Sequence, residues 1–222
     1  MNALKIRPPQ SLEEYERACA LVEKEYRQAG YIPQQGPMKH PKALLLALRD
    51  GLIIGSVGVL SADSGQLPTE EAYGFRAETL GLLDRSQVFE SLRLAVSDRS
   101  DTGAMKGLIA ASIASVERCV DDGVWLMTIK PVLRRALLRY CYVVTDILPL
   151  TPRPELFEQY PGYWGSSPQP TAVLLSNANA NAALARLTIE LEGKVDIDVS
   201  DFNHHLDYGD PATYQHALAA VV

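Results

Sequence analysis

At 222 residues the chain is long enough to bury a sizeable core as one domain, and its 47% apolar and 22% charged content are ordinary globular values that exclude disorder. No apolar run approaches the roughly 20 residues that span a bilayer. A formal charge of −6 excludes general nucleic-acid binding, which needs a basic surface for phosphate contacts.

The N-terminus, Met1 to Pro9, lacks the apolar core of a secretory signal. Ser11-Leu12-Glu13-Glu14 is a capping box, and it opens a helix ending near Gly30 with an apolar stripe of Leu12, Tyr15, Cys19, Val22 and Tyr26. Gly30 to Pro37 is an irregular loop. Two apolar runs, Ala43–Leu48 and Leu52–Leu60, are separated by Arg49-Asp50-Gly51, and Asp-Gly in that position predicts a hairpin. Leu44, Leu46, Ile54 and Val57 read as core. Gly55 and Gly58 leave room for close approach by ligand or backbone. Pro68 to Leu83 reads as a helix with proline in its first turn. Gln87–Val96 is a strand, Asp98–Gly103 a polar loop, and Met105–Asp121 a long helix ended by Gly123. Then come a strand at Val124–Lys130, a proline-started helix at Pro131–Tyr140 and a strand at Tyr142–Leu148. Leu150–Pro170 reads as a long ordered loop, Thr171–Ser176 as a strand, and Ala178–Glu192 as a helix capped by Asn177. The tail from Val195 carries little pattern. The expected architecture is α/β in one domain, 1–222, with its core at about 12–192 and a C-terminal extension at 193–222.

Glu90-Ser91-Leu92-Arg93 sets an acid and a base three residues apart. On a regular strand they face opposite sides, and a bulge brings them together. Such a pair is either a partly buried structural ion pair or a site that handles an amine and a carbonyl. Lys130, Arg134, Arg135 and Arg139 form an uninterrupted basic run, either a solvated helix face or a docking patch for an acidic partner. Cys19, Cys119 and Cys141 are odd in number and widely spaced, which fits buried free thiols in a reducing cytoplasm. The four histidines, His40, His204, His205 and His216, show no ligand spacing with cysteine, so no metal is expected. Asp201, His204, His205 and Asp207 read as polar tail surface. Trp164, in Tyr160-Pro161-Gly162-Tyr163-Trp164-Gly165, either walls an apolar tunnel or plugs the end of the sheet.

The element order resembles that of the GCN5-related N-acyltransferase superfamily. Leu67-Pro68-Thr69, followed by Glu90-Ser91-Leu92-Arg93-Leu94-Ala95-Val96, resembles the L-P-T and E-x-x-R-x-x-V patterns of acyl-homoserine-lactone (autoinducer) synthases. It resembles still more the E-x-x-R-L-A-V strand of N-acyl amino acid synthases. Gly123–Pro131 and Pro170–Leu175 are similar to further segments of both groups. The resemblance implies a mixed sheet flanked by helices and splayed between its fourth and fifth strands, where an acyl thioester binds.

It also implies an N-acyltransferase that moves an acyl group, long-chain in this reading, from an acyl carrier protein or CoA thioester to the amine of an amino acid or similar small molecule. Glu90 would take the amine proton, directly or through water, or else orient the amine, and Arg93 would hold Glu90 or bind an acceptor carboxylate. Leu94, Ala95 and Val96 would face the thioester. Thr102 and Gly103, with Lys130, Arg134 and Arg135, would bind the donor. No tightly bound cofactor is implied.

Three departures qualify the match. The segment Ser100-Asp101-Thr102-Gly103-Ala104-Met105 keeps one glycine of the superfamily's pyrophosphate loop and adds an aspartate that repels phosphate, favouring an acidic carrier protein over free CoA. The position of the usual leaving-group tyrosine is Leu138, with Tyr140 two places on. Ser64-Gly65-Gln66 precedes Leu67 and the N-terminal loop offers Tyr31, which argues against S-adenosylmethionine as acceptor. An autoinducer synthase and an inactive acyl- or carrier-binding relative are the alternatives.

Overall fold

A computed structural model of the chain describes residues 4–34, 38, 40–41, 43–82, 84–98, 101–140, 143–147 and 150–203. Among the described residues, eight strands form one mixed sheet in the order β6-β7-β5-β4-β3-β2-β1-β8: β1 Leu4–Arg7, β2 Ala43–Arg49, β3 Leu52–Ser61, β4 Val88–Val96, β5 Val124–Ile129, β6 Thr145–Asp146, β7 Thr171–Leu175 and β8 Val195–Ile197. β4–β5 and β1–β8 are parallel, and the other neighbours are antiparallel. The long helices are α1 Leu12–Gln28, α3 Thr102–Glu117, α4 Pro131–Leu138 and α7 Asn177–Leu191, and the short ones α2 Pro68–Tyr73, α5 Glu155–Gln159 and α6 Pro161–Trp164.

Local chemistry explains the first elements. Ser11 accepts the Glu14 N–H at 3.1 Å, while the Glu14 carboxylate turns back to the Gln10 N–H and the Arg7 guanidinium. The β2–β3 turn has Asp50 at φ 52° and Gly51 at φ 77°, the left-handed pair that a two-residue hairpin requires. Residues 43–48 of β2 are all buried, so its apolar run is continuous rather than alternating: both faces of the sheet are covered. α1 packs on β3 and β4. α3 crosses β1 to β4 and carries α7; it is apolar nearly all round, as a central helix must be. On β3, a Cβ on Gly58 would collide with the Pro41 ring, so the close approach is made by this chain's own loop.

Several expectations need correction. The Pro68–Leu83 helix stops at Gly74, left-handed at φ 66°, and continues only as a 3-10 turn at Ala77–Leu80 before Gly81 at φ 82°. α3 begins at Thr102, because the Asp101 side chain caps it, so Thr102 and Gly103 are helical. Leu150–Pro170 holds α5 and α6. α7 starts at Asn177 with Ser176 as its cap residue, and Asn177 instead bonds the Asp121 carbonyl. β1 and β8 extend the sheet beyond residues 12–192, and Val199 and Phe202 join the core. Cys119 is exposed, not buried, with its thiol directed to the Ser115 carbonyl; Cys19 is buried. Ser100, Cys141, Tyr142, Leu148, His204, His205, Asp207 and His216 lie outside the described residues. Among the described residues, no helix is long and apolar enough to cross a membrane.

Candidate functional site

β4 and β5 pair only at Val88–Val124 and Phe89–Trp125. Beyond Phe89 the strands part, leaving the β5-facing edge of Glu90–Val96 without a ladder, while on the other side β4 stays paired with β3. Leu94, Ala95 and Val96 therefore border the gap. Opposite Val57 the β4 register slips by one residue, and Arg93 sits there at φ 55°. That is a β-bulge carried by a non-glycine residue in the left-handed region, a costly conformation of the kind found beside active sites.

Glu90, 3% exposed, stands at the closed end of the gap, directly after the last β4–β5 pair. Its carboxylate accepts the Thr69 N–H at 2.9 Å and the Thr69 hydroxyl at 2.8 Å, and the Thr69 and Thr128 hydroxyls are 2.9 Å apart. Thr69 stands in the first turn of α2, where Pro68 sets the backbone and an unused amide points outward. Burial pushes the Glu90 carboxyl up to about 8, against the two Thr69 hydrogen bonds and with help from the Glu70 charge. A carboxylate in that range is suited to proton abstraction near neutral pH.

Glu70 plays a different part. It is completely buried and accepts from the Leu67 and Ala77 amides and from Arg85, whose guanidinium also holds the Ala62 and Gly65 carbonyls. Burial would raise its carboxyl, but Arg85 and the two amides outweigh this and lower it. Glu70 thus fixes the turn that presents Thr69.

Arg93 does not meet Glu90: no hydrogen bond or ion pair joins them. Its half-buried guanidinium lies among Tyr15, Cys19 and Tyr26 of α1 and Tyr160, and Nη1 is buried without a partner. Burial lowers its basicity. Tyr163 links the two neighbourhoods. Its ring stacks edge-to-face on Tyr31 (5.4 Å) and Trp164 (5.2 Å), its hydroxyl reaches the Thr128 carbonyl at 3.3 Å, and it lies within the electrostatic reach of both Glu90 and Tyr26. Trp164 itself packs on Tyr73 beside Ala72 and Ala172, so it plugs the sheet. A Cβ on Gly162 would strike the Gly30 carbonyl; that glycine lets α6 seat against the loop carrying Tyr31.

The donor-side residues separate. Asp101 accepts the Ala104 N–H at 3.0 Å and pairs with Arg49 at 2.7 Å, so a carboxylate already occupies the N-terminus of α3 beside Thr102 and Gly103. Lys130 donates to the Tyr163 carbonyl at 2.7 Å and to Ser166 and lies over the Tyr31 and Tyr163 rings; it is a strut, and burial lowers its basicity. Arg134 pairs with Asp146 at 2.9 Å. Arg135 is exposed, as are Arg139, Val132 and Leu138 on α4. Tyr140 is buried against α3, with its ring under the Lys106 ammonium. Sequence reasoning missed Thr128, Tyr163 and the Glu70–Arg85 pair. The alternation of β5 and the Tyr-rich loop were the only signals available for the first two.

No family model and no curated protein matches the chain. Solved structures do. BjaI, a CoA-dependent acyl-homoserine lactone synthase solved with SAM and isopentyl-CoA, superposes with a TM-score of 0.58 at 15% identity, covering 98% of this chain and 100% of BjaI. FeeM, an N-acyl amino acid synthase from uncultured soil microbes, gives 0.57 at 14% identity, covering 83% of this chain and 96% of FeeM. The AHL synthase LasI gives 0.54 at 14% identity, covering 82% and 93%. The eight-stranded sheet, parted between β4 and β5, is the fold that this chain shares with these synthases.

Proposed function

We propose that this chain is an N-acyltransferase that moves a fatty acyl group from a carrier-protein thioester to the amine of a small acceptor bearing a carboxylate, such as an amino acid. The observation that carries the reading is the gap between β4 and β5 with the Glu90 carboxyl, raised to about 8, at its closed end. Acyl transfer needs a thioester aligned beside a base and donors for the developing oxyanion. The unladdered edge of β4 offers such donors, and a thioester lying along it brings its carbonyl to Leu94–Val96.

Arg93 supports the acceptor class. A half-buried guanidinium whose Nη1 is buried and which has no carboxylate partner among the described residues is a costly feature that an acceptor carboxylate relieves by a charge-assisted contact. Asp101 supports a carrier over free CoA, because the α3 amides that would cradle a pyrophosphate already face a carboxylate. A carrier's single phosphodiester makes no such demand.

The test is an incubation of acyl carrier thioester with a panel of amino acids and amines, following thiol release and amide mass. The expected result is an N-acyl product in the wild type and none with Glu90→Gln. Methylthioadenosine released from S-adenosylmethionine would instead identify an autoinducer synthase. Retention of the fatty acid with no acceptor consumed would identify a binding protein, and either result overturns the proposal.

A further inference from the structure

We infer that Glu90 never touches the amine: its proton arrives through a two-hydroxyl relay, Thr128 to Thr69 to Glu90, which makes Thr128 the group that faces the substrate and Thr69 a positioning residue. The inference rests on the acyltransferase reading of the same gap. It starts from reach. Glu90 is 3% and Thr69 0% exposed, so neither meets a ligand in the gap. Thr128, on the β5 side where the strands have parted, is half-buried and is the outermost member of the chain.

The direction of the hydrogen bonds follows from the number of protons. A threonine hydroxyl has one proton to give. While Glu90 is ionised, the form it takes above its raised pKa, Thr69 gives it a proton over 2.8 Å, and across the 2.9 Å contact Thr128 then donates to Thr69. The lone pairs of Thr128 are left to accept from an amine. As the C–N bond forms, the amine N–H breaks toward Thr128 Oγ1, the Thr128 proton passes to Thr69 Oγ1, and the Thr69 proton passes to Glu90 Oε1. Each hydroxyl loses one proton and gains one, and Glu90 becomes neutral. When the C–S bond breaks, the thiolate takes the proton back along the reverse path. A neutral amine and a thioester thus give an amide and a thiol with no net proton.

Among the described residues, Glu70 of α2 and Tyr163 of α6 are the other titratable groups that act on or feel Glu90. Glu70 is held by Arg85, and the Tyr163 hydroxyl is directed to the Thr128 carbonyl. Neither offers Glu90 a competing path.

Two readouts test the relay on the full chain. In ¹³C-carboxyl-labelled protein, with the Glu90 signal assigned by its absence in Glu90→Gln, Thr69→Val raises the Glu90 titration midpoint, because a donor to the charged form is lost, and Thr69→Ser restores it. In turnover, Thr128→Val lowers kcat about 100-fold with little change in KM, and Thr128→Ser recovers most of it. Wild-type kcat in Thr128→Val beside a dead Glu90→Gln overturns the relay, and so does an unmoved midpoint in Thr69→Val. A wild type that acylates no amine sinks the acyltransferase reading instead, and the midpoint then judges the hydroxyl chain alone.

Discussion

At the scale of single residues, Glu90 costs stability in the ionised form that the proposed chemistry uses. In the unfolded chain a glutamate ionises near pH 4.3, as model peptides do. In the folded protein burial holds the proton to about 8. Between these values the folded state carries the extra proton, so the Glu90 contribution to stability is complete below about pH 4 and is lost as pH climbs through about 8. Glu90→Gln has no proton to lose. Its stability by urea titration should therefore gain on the wild type by a few kcal/mol between pH 5 and pH 9, even as its transfer activity disappears. A pH-independent difference would show an ionised carboxyl in the folded protein. Glu90 and Arg93 were legible because E-x-x-R on a strand is a local pattern. Thr69 and Thr128 were not legible as partners: they lie 21 and 38 residues from Glu90 in sequence, and only the packing of α2 on β5 brings them together.

At the scale of elements, the legible pieces are those with strong local chemistry: the Ser11 cap, the Asp50-Gly51 hairpin turn, Pro131 at the start of α4. The misread pieces are short or are ended by glycine. Pro68–Leu83 has helical composition, yet Gly74 and Gly81 adopt left-handed φ and divide it; β1 and β8 have four and three residues, too few for periodicity to register. The bulge in β4 was foreseen as the device that would pair Arg93 with Glu90. Instead it turns Arg93 toward Tyr15 and Tyr26, away from Glu90. Holding Arg93 at φ 55° has a backbone cost that glycine escapes. Arg93→Gly should therefore be more stable than Arg93→Ala by about 1 kcal/mol in chemical denaturation, since both lose the guanidinium arm and only alanine keeps the strained Cβ. Both should show a raised KM for a carboxylate-bearing acceptor. Equal stability of the two variants would mean that the bulge relaxes to an ordinary strand.

At the scale of the whole molecule, a chain of net charge −6 presents exposed Arg135 on α4 and Arg139 at its C-terminal cap, in the helix that follows β5. The sequence showed four basic residues in a row of ten, but the fold withdraws two: Lys130 braces Tyr163 and Ser166, and Arg134 pairs with Asp146. The remaining pair stands with exposed Val132 and Leu138, a basic and apolar face that under the proposed function would meet an acidic carrier. Long-range attraction of this kind acts on encounter and is screened by salt over about 8 Å at physiological ionic strength. Reversing both charges, Arg135→Glu with Arg139→Glu, should lower kcat/KM for the carrier thioester relative to that for a short N-acetylcysteamine thioester by about tenfold at low salt, and by less at 0.5 M salt. The ratio matters because a short thioester carries no acidic surface, so a general loss of folding would lower both rates together. The Asp101 cap adds a second constraint, since acyl-CoA must place its pyrophosphate against a carboxylate and should be the poorer donor. A flat ratio in the charge-reversed protein, together with acyl-CoA turnover equal to the carrier's, would leave α4 as solvated surface and return the donor site to a nucleotide thioester.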